Sequence, residues 1–159
     1  MRSNFGTLIL LACAGAAQAA GTVQVSFIQP EKFVDVRDAA FRADDNLALL
    51  KQHLEQAAAP YVGDGQTLNI EVLDVDLAGE VRHGARPFDL RVLRGRADWP
   101  RIELRYSLQV PGQAARAGRA RVQDMAYLQR VAGLRNEALY YERRMLDEWF
   151  KAEFGTSSQ

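Results

Sequence analysis

The sequence predicts an α+β protein, a two-layer sandwich of two main helices on a mainly antiparallel sheet of about five strands. Two segments carry apolar residues at the helical period, and five shorter segments alternate apolar and polar residues as half-buried strands do. Their order along the chain is β-α-β-β-β-β-α. Helices that flank a run of one-sided strands are typical of a helical layer packed on one face of an antiparallel sheet.

The amino terminus has the pattern of an export signal. Arg2 precedes an apolar run from Phe5 to Ala17 that is too short to span a bilayer, and Ala17 and Ala19 are the small residues that a signal peptidase requires. We therefore expect a periplasmic protein with no membrane span in its mature chain. The expected segments are a cleaved signal peptide, a single α+β domain and a flexible polar tail, at residues 1–19, 20–154 and 155–159.

The sole cysteine, Cys13, lies inside this signal. Its removal leaves no thiol for a disulfide, a metal site or nucleophilic catalysis, so a packed core must supply the stability. The alternative is a lipoprotein, because Leu10-Leu11-Ala12-Cys13 loosely resembles a lipoprotein cleavage box in which Cys13 would carry lipid.

The first half of the mature sequence supplies a strand and a helix. Alternation from Val23 to Phe27 predicts a strand that Pro30 ends. Capping residues that begin at Asp44 predict the start of a helix, which ends near Pro60.

The next strand, from Leu68 to Leu77, changes its apolar phase at its middle. A regular strand would therefore bury Asp74 and Asp76 beside the apolar residues of its first half. A β-bulge near Val72-Leu73 resets the alternation and turns both aspartates outward, so we predict a bulge there.

The second half supplies three strands and a helix. Alternation predicts a third strand at Phe88–Val92, a fourth at Ile102–Val110 and a weaker fifth near Ala115–Val122. Pro111-Gly112 fits the centre of a type II turn between the last two strands. A broad apolar face predicts the last helix over about Asn136–Phe154.

Charge is distributed unevenly along a chain that is neutral overall. Residues 31–76 hold ten acidic and four basic residues, whereas residues 82–121 hold ten arginines and three acids. Guanidinium groups bind phosphate and carboxylate in a bidentate way, so outward arginines of successive strands would form an anion-binding face. We favour the interpretation that nearby acids neutralise these arginines, and anion binding is the alternative. The candidate residues are Arg91, Arg101, Arg105, Arg119 and Arg121.

Three carboxylates are candidates for chemistry. Asp74 and Asp76 lie on one side of a strand, where we expect a structural role at the strand end. A divalent-cation site or an acid/base pair is the alternative. Glu142 falls on the apolar face of the last helix, where a long charged side chain needs a partner. We expect a structural pair with an arginine or tyrosine, and a catalytic role is the alternative. The sequence contains no cofactor or metal-binding motif, so we expect neither.

Four segments resemble a family of exported bacterial proteins, domain of unknown function 3016. Their order and spacing cover nearly the whole mature chain. The resemblance implies export and a single domain, and it implies no activity, substrate or cofactor. The segments are Phe27–Asp35, Ile70–Gly79, Pro100–Tyr106 and Tyr141–Phe150.

These observations favour a non-enzymatic binding or interaction module of the cell envelope. Its partner would be an anionic envelope component or an envelope protein, and export removes it from nucleic acid. The alternative is a hydrolase that acts on an envelope component through Asp74, Asp76 or Glu142. An enzyme would bring at least two of these carboxylates into one pocket, whereas a module would disperse and pair them.

Overall fold

The computed structural model describes residues 20–37, 43–82, 90–129 and 137–155. The predicted signal with Cys13, the predicted strand residues Phe88 and Asp89, and Asn136 lie outside the described residues. Two short 3-10 turns, Pro30–Lys32 and Ala59–Tyr61, follow the first strand and the first helix. The main elements are β1 Thr22–Phe27, α1 Ala43–Ala58, β2 Thr67–Asp76, β3 Glu80–Arg82, β4 Leu90–Val92, β5 Arg101–Gln109, β6 Arg116–Gln123 and α2 Tyr140–Phe154.

Four strands form the main sheet in the order β1-β2-β5-β6, and β3 and β4 form a separate two-stranded sheet. β1 runs parallel to β2, with α1 as the crossover between them, and every other strand pairing is antiparallel. The predicted α+β class, the mainly antiparallel sheet and the order of the main elements are confirmed.

The register of β2 contains the predicted bulge. Val72 pairs with Leu104 and Asp74 pairs with Glu103, so the β2–β5 register skips Leu73. Inward alternation resumes at Val75, which is almost completely buried. The bulge therefore keeps Asp74 on the outward side of the sheet, as the change of apolar phase predicts.

The core lies between the inner face of the main sheet and the two helices. Its fully buried side chains come from the sheet, from α1 and from α2. Burying each of them stabilises the fold by roughly 1.5–3 kcal/mol. Aromatic rings from α2 extend the core, because Phe150 stacks on Tyr61 and Trp149 meets Tyr106 edge-on. The largest aliphatic members are Leu50, Leu54, Leu68, Ile70, Ile102, Leu104 and Leu146.

Two features differ from the sequence expectation. α2 begins at Tyr140 rather than near Asn136, because Leu139 adopts a left-handed φ of 55°, which a helix cannot continue. The predicted third strand is β4, and it pairs with β3 rather than with the main sheet. Three residues are too few for β3 to show alternation, so the sequence did not predict it. Within the described ranges, neither helix has the length and apolar character needed to cross a membrane.

Candidate functional site: the charged face of the sheet

One face of the main sheet packs against the helices, and the other carries charged side chains. Alternation places them outward because their neighbours Val72, Ile102 and Leu104 are fully buried on the inner side. We call this set the charged face. Its members are Glu71, Asp74, Asp76, Arg101, Glu103, Arg105, Arg119 and Arg121.

Charges of opposite sign pair across neighbouring strands of the charged face. Arg105 donates a hydrogen bond to Glu71, its cross-strand partner. This hydrogen bond holds the pKa of the Glu71 carboxyl below its ordinary value. At the end of β2, Arg101 lies 2.8 Å from the Asp76 carboxylate. Water screens ion pairs on a solvated sheet face, so these pairs order the surface more than they stabilise the fold.

Along β6, the arginines of the charged face outnumber the carboxylates that they contact. Arg119 and Arg121 both contact one carboxylate, that of Glu103, at 3.3 and 3.1 Å. The two arginine side chains are 70% and 59% exposed, whereas that of Glu103 is 25% exposed. Two guanidinium groups thus share one carboxylate at the border of the sheet, which leaves this part of the charged face locally positive.

Arg91 does not belong to the charged face. It lies in β4, and its side chain is only 12% exposed. Its guanidinium lies 2.9 Å from Asp35 and donates hydrogen bonds to the carbonyls of Ala78 and Gly79 at 3.2 and 3.0 Å. The expectation that all five arginines share one face is wrong for Arg91, because β4 pairs with β3 outside the main sheet. Its contacts hold the segment after β2 in place.

Asp74 and Asp76 are each occupied by contacts within the fold. Asp74 accepts hydrogen bonds from the backbone N–H groups of Val34 and Val75 at 2.9 and 3.0 Å. Burial raises the pKa of the Asp76 carboxyl, and the charge of Arg101 offsets this only in part. Over the described ranges, no group of three or more histidine, cysteine or acidic side chains is arranged to hold a metal ion.

Glu142 is buried in the helical layer, with 3% of the residue exposed. One of its carboxylate oxygens accepts a hydrogen bond from the backbone N–H of Ala78 at 2.7 Å. A cavity of about 170 Å³ borders Glu142 and Arg91, and neither Asp74 nor Asp76 lines it. The structure therefore does not bring these two aspartates and Glu142 together in this cavity.

Sequence reasoning missed a buried network around Asp98, of which 8% is exposed. Its carboxylate accepts hydrogen bonds from the backbone N–H groups of Arg94 and Arg96 at 2.6 and 2.8 Å. Burial acts to raise the pKa of Asp98, but these bonds and one from the Tyr127 hydroxyl outweigh it and lower the pKa. Burial also raises the pKa of Tyr127 to about 12. The sequence carries no signal for this network, because the partners are mostly backbone groups.

His53 of α1 makes polar contacts with α2. It is buried, and its Nε2 atom lies 3.0 Å from both the Asp147 carboxylate and the Arg143 carbonyl oxygen. Its Nδ1 atom accepts a hydrogen bond from the Arg143 side chain at 3.3 Å. His53 thus joins α1 to α2. These contacts are structural and lie away from the charged face.

The fold and this surface define a class of protein, a small α+β sandwich with one helix-covered and one charged sheet face. A family model described as Protein of unknown function (DUF3016) matches residues 21–152. The chain therefore belongs to this family, and the resemblance noted in four segments of the sequence is confirmed. No curated protein and no solved structure gave a significant match.

Proposed function

We propose that the chain is an exported periplasmic protein that acts as a non-enzymatic binding or interaction module of the cell envelope. The charged face is its binding surface, and the locally positive border at β6 receives an anionic envelope component or an envelope protein. The main support for this proposal is that the exposed guanidinium groups of Arg119 and Arg121 share the single carboxylate of Glu103. Some of their N–H groups can therefore donate hydrogen bonds to an acidic partner.

The arrangement of the candidate carboxylates supports binding over hydrolysis. Hydrolysis through an acid/base pair needs two carboxyl groups on one bound substrate. Asp74 and Asp76 lie on the outward side of β2, whereas Glu142 points from α2 to the backbone of Ala78. Among the described residues, Asp74 and Asp76 are neighbours on β2, Glu142 lies apart from them, and neither aspartate lines the cavity beside Glu142. Each of the three carboxylates has a partner, as expected of a module.

The compartment is tested by expressing the full chain in a Gram-negative bacterium and measuring the intact mass of the purified product. We expect a product that begins at Ala20 and is released with the periplasmic fraction. A mass that includes an acylated Cys13 would establish the lipoprotein alternative. A product that keeps Met1 and fractionates with the cytosol would overturn the proposal.

The binding surface is tested in the same cells with a photo-crosslinking amino acid. Ala117 is exposed on β6 and faces outward, and Lys51 is an exposed position on α1, on the helical side of the molecule. We expect crosslinked partners from position 117 and not from position 51. Equal crosslinking from both positions would contradict a binding surface at β6.

A further inference from the structure

We propose that β6 is a docking edge for an extended acidic segment of a partner protein, which adds to the main sheet as a further strand. The segment would alternate acidic and apolar residues. This inference rests on the proposed binding function and names the chemistry of the partner.

The backbone of β6 is available for strand addition. β6 is the last strand in the sheet order, and within the described ranges no strand pairs with its outer edge. Asp124 N–H donates to the Pro100 carbonyl at 3.3 Å, which fixes the phase of the hydrogen bonds between β5 and β6. By the antiparallel alternation, Ala117, Arg119 and Arg121 direct their N–H and C=O groups away from β5. An open row of this kind is a template for another strand.

The outward side chains of the same residues select an acidic strand. Cross-strand neighbours lie about 4.5–5.5 Å apart, so acids at alternate positions of an added strand would meet Arg119 and Arg121. Antiparallel pairing with a second copy of β6 would instead place arginines near arginines. Like charges directly opposite are destabilising, so the edge disfavours self-association and favours an acidic partner.

The inner side of this edge accepts apolar residues. A groove of about 400 Å³ lies between β6 and α2, and its apolar lining comes from Val122, Met145, Trp149 and Ala152. Alternate side chains of an added strand would enter this groove.

The charges around this edge differ between its two sides. The groove on the inner side is bordered by Asp124, Glu148 and Arg121, and Glu148 is paired with Arg144 at 3.4 Å, so both signs of charge are present there. The outer side carries Arg119 and Arg121 around a single carboxylate, so acidic side chains of an added strand are favoured on the outer side. The recognised segment is therefore acidic at every second position and apolar between them.

The test is a fluorescence anisotropy titration of a labelled eight-residue peptide, in which Glu alternates with Val, with the purified native protein. We expect saturable binding that weakens as salt is raised. The double variant Arg119→Gln/Arg121→Gln should weaken binding by about tenfold, as two cross-strand charge pairs would. The control variant Lys51→Gln, an exposed position on α1 on the helical side of the molecule, should leave binding unchanged. Equal losses in both variants would overturn the proposal.

Backbone pairing is tested with two N-methylated versions of the peptide. Methyl groups on the alternate amides that face β6 should abolish binding, and the same number on the opposite amides should not. Equal binding of the two versions would overturn strand addition. Binding to phosphatidylglycerol vesicles with no binding to the peptide would also overturn it, as would a stable dimer that the double variant dissociates.

The outcomes separate this inference from the proposed function. If the peptide does not bind but position 117 still gives crosslinks in the periplasm, strand addition at β6 is wrong and the proposed binding function is supported. If the peptide binds but the chain is cytosolic, strand addition stands and the envelope function is wrong.

Discussion

The carboxylate of Glu142 and the backbone N–H of Ala78 form a 2.7 Å hydrogen bond that joins the first turn of α2 to the chain leaving β2. The two residues are 64 positions apart in sequence. A buried carboxylate is tolerated only when its oxygens are bonded, and this contact supplies one of those bonds. The same contact fixes where α2 begins relative to the sheet.

Glu142→Gln should lower the free energy of unfolding by about 1–3 kcal/mol, because it weakens a charge-assisted hydrogen bond in a buried place. Urea unfolding measures this directly. Glu148→Gln is the matched control on the same helix, since the Glu148 side chain is 47% exposed beside Arg144, and we expect a change within about 0.5 kcal/mol. Equal effects of the two substitutions would contradict the structural role of Glu142.

Asp98→Asn should destabilise the protein at pH 7 by about 1–3 kcal/mol, through its bonds to Arg94 and Arg96. The folded-state pKa of Asp98 lies below its ordinary value of 3.8, so its stabilising effect is complete above that value and is lost as pH falls through the lowered pKa. The difference between wild type and variant should therefore narrow below about pH 4. Urea unfolding at pH 7, 5 and 3 measures it, with the exposed Asp64→Asn as control. A difference that stays constant with pH would refute the assignment.

The carboxyls of Asp76, which is partly buried, and of Asp98, which is buried, should have pKa values on opposite sides of the ordinary aspartate value. Burial raises the pKa of Asp76, whereas hydrogen bonds outweigh burial at Asp98 and lower its pKa. Carboxyl carbon chemical shifts followed by NMR from pH 2 to 7 resolve both groups. We expect Asp76 to protonate first as the pH falls, and the reverse order would show that the Arg101 contact dominates at Asp76.

Gly118→Ala should cost about 1–3 kcal/mol, because a Cβ atom there would lie 2.7 Å from the Tyr106 ring. That ring has little freedom to move, since Trp149 and Phe154 pack edge-on against it. Thermal unfolding measures the loss. Gly63→Ala is the control, because its Cβ would meet nothing nearer than 3.5 Å and we expect a small change. If both variants melt alike, the ring contact does not restrict this position.

The sequence predicts the parts of the fold that are set by local burial. The alternation at Ile102–Val110 identifies β5 because one face packs and the other meets water. The change of phase in β2 identifies the bulge at Leu73, since no regular strand could keep both aspartates outward.

The other features of the fold and of the candidate site depend on which elements pack together, and local sequence patterns do not show this. No local pattern reveals that β4 leaves the main sheet, and this is why Arg91 was placed with the other arginines. Asp98 and Glu142 bond to backbone N–H groups that folding brings near, and residue spacing cannot identify such partners. The sequence favours neutralisation of the arginines by nearby acids, but it does not identify the individual pairs, because the register of three strands decides which charges meet.

The parallel pairing of β1 has a consequence for the order in which the protein folds. Thr22 pairs with Thr67, 45 positions later, whereas β5 and β6 are joined directly by a tight turn. Strands that are close in sequence pair quickly, because only a short loop has to close. Strands that are distant in sequence pair later, because the loop between their ends is long. The hairpin of β5 and β6 should therefore form early, and β1, although it is synthesised before the other strands, should be among the last strands to join the sheet.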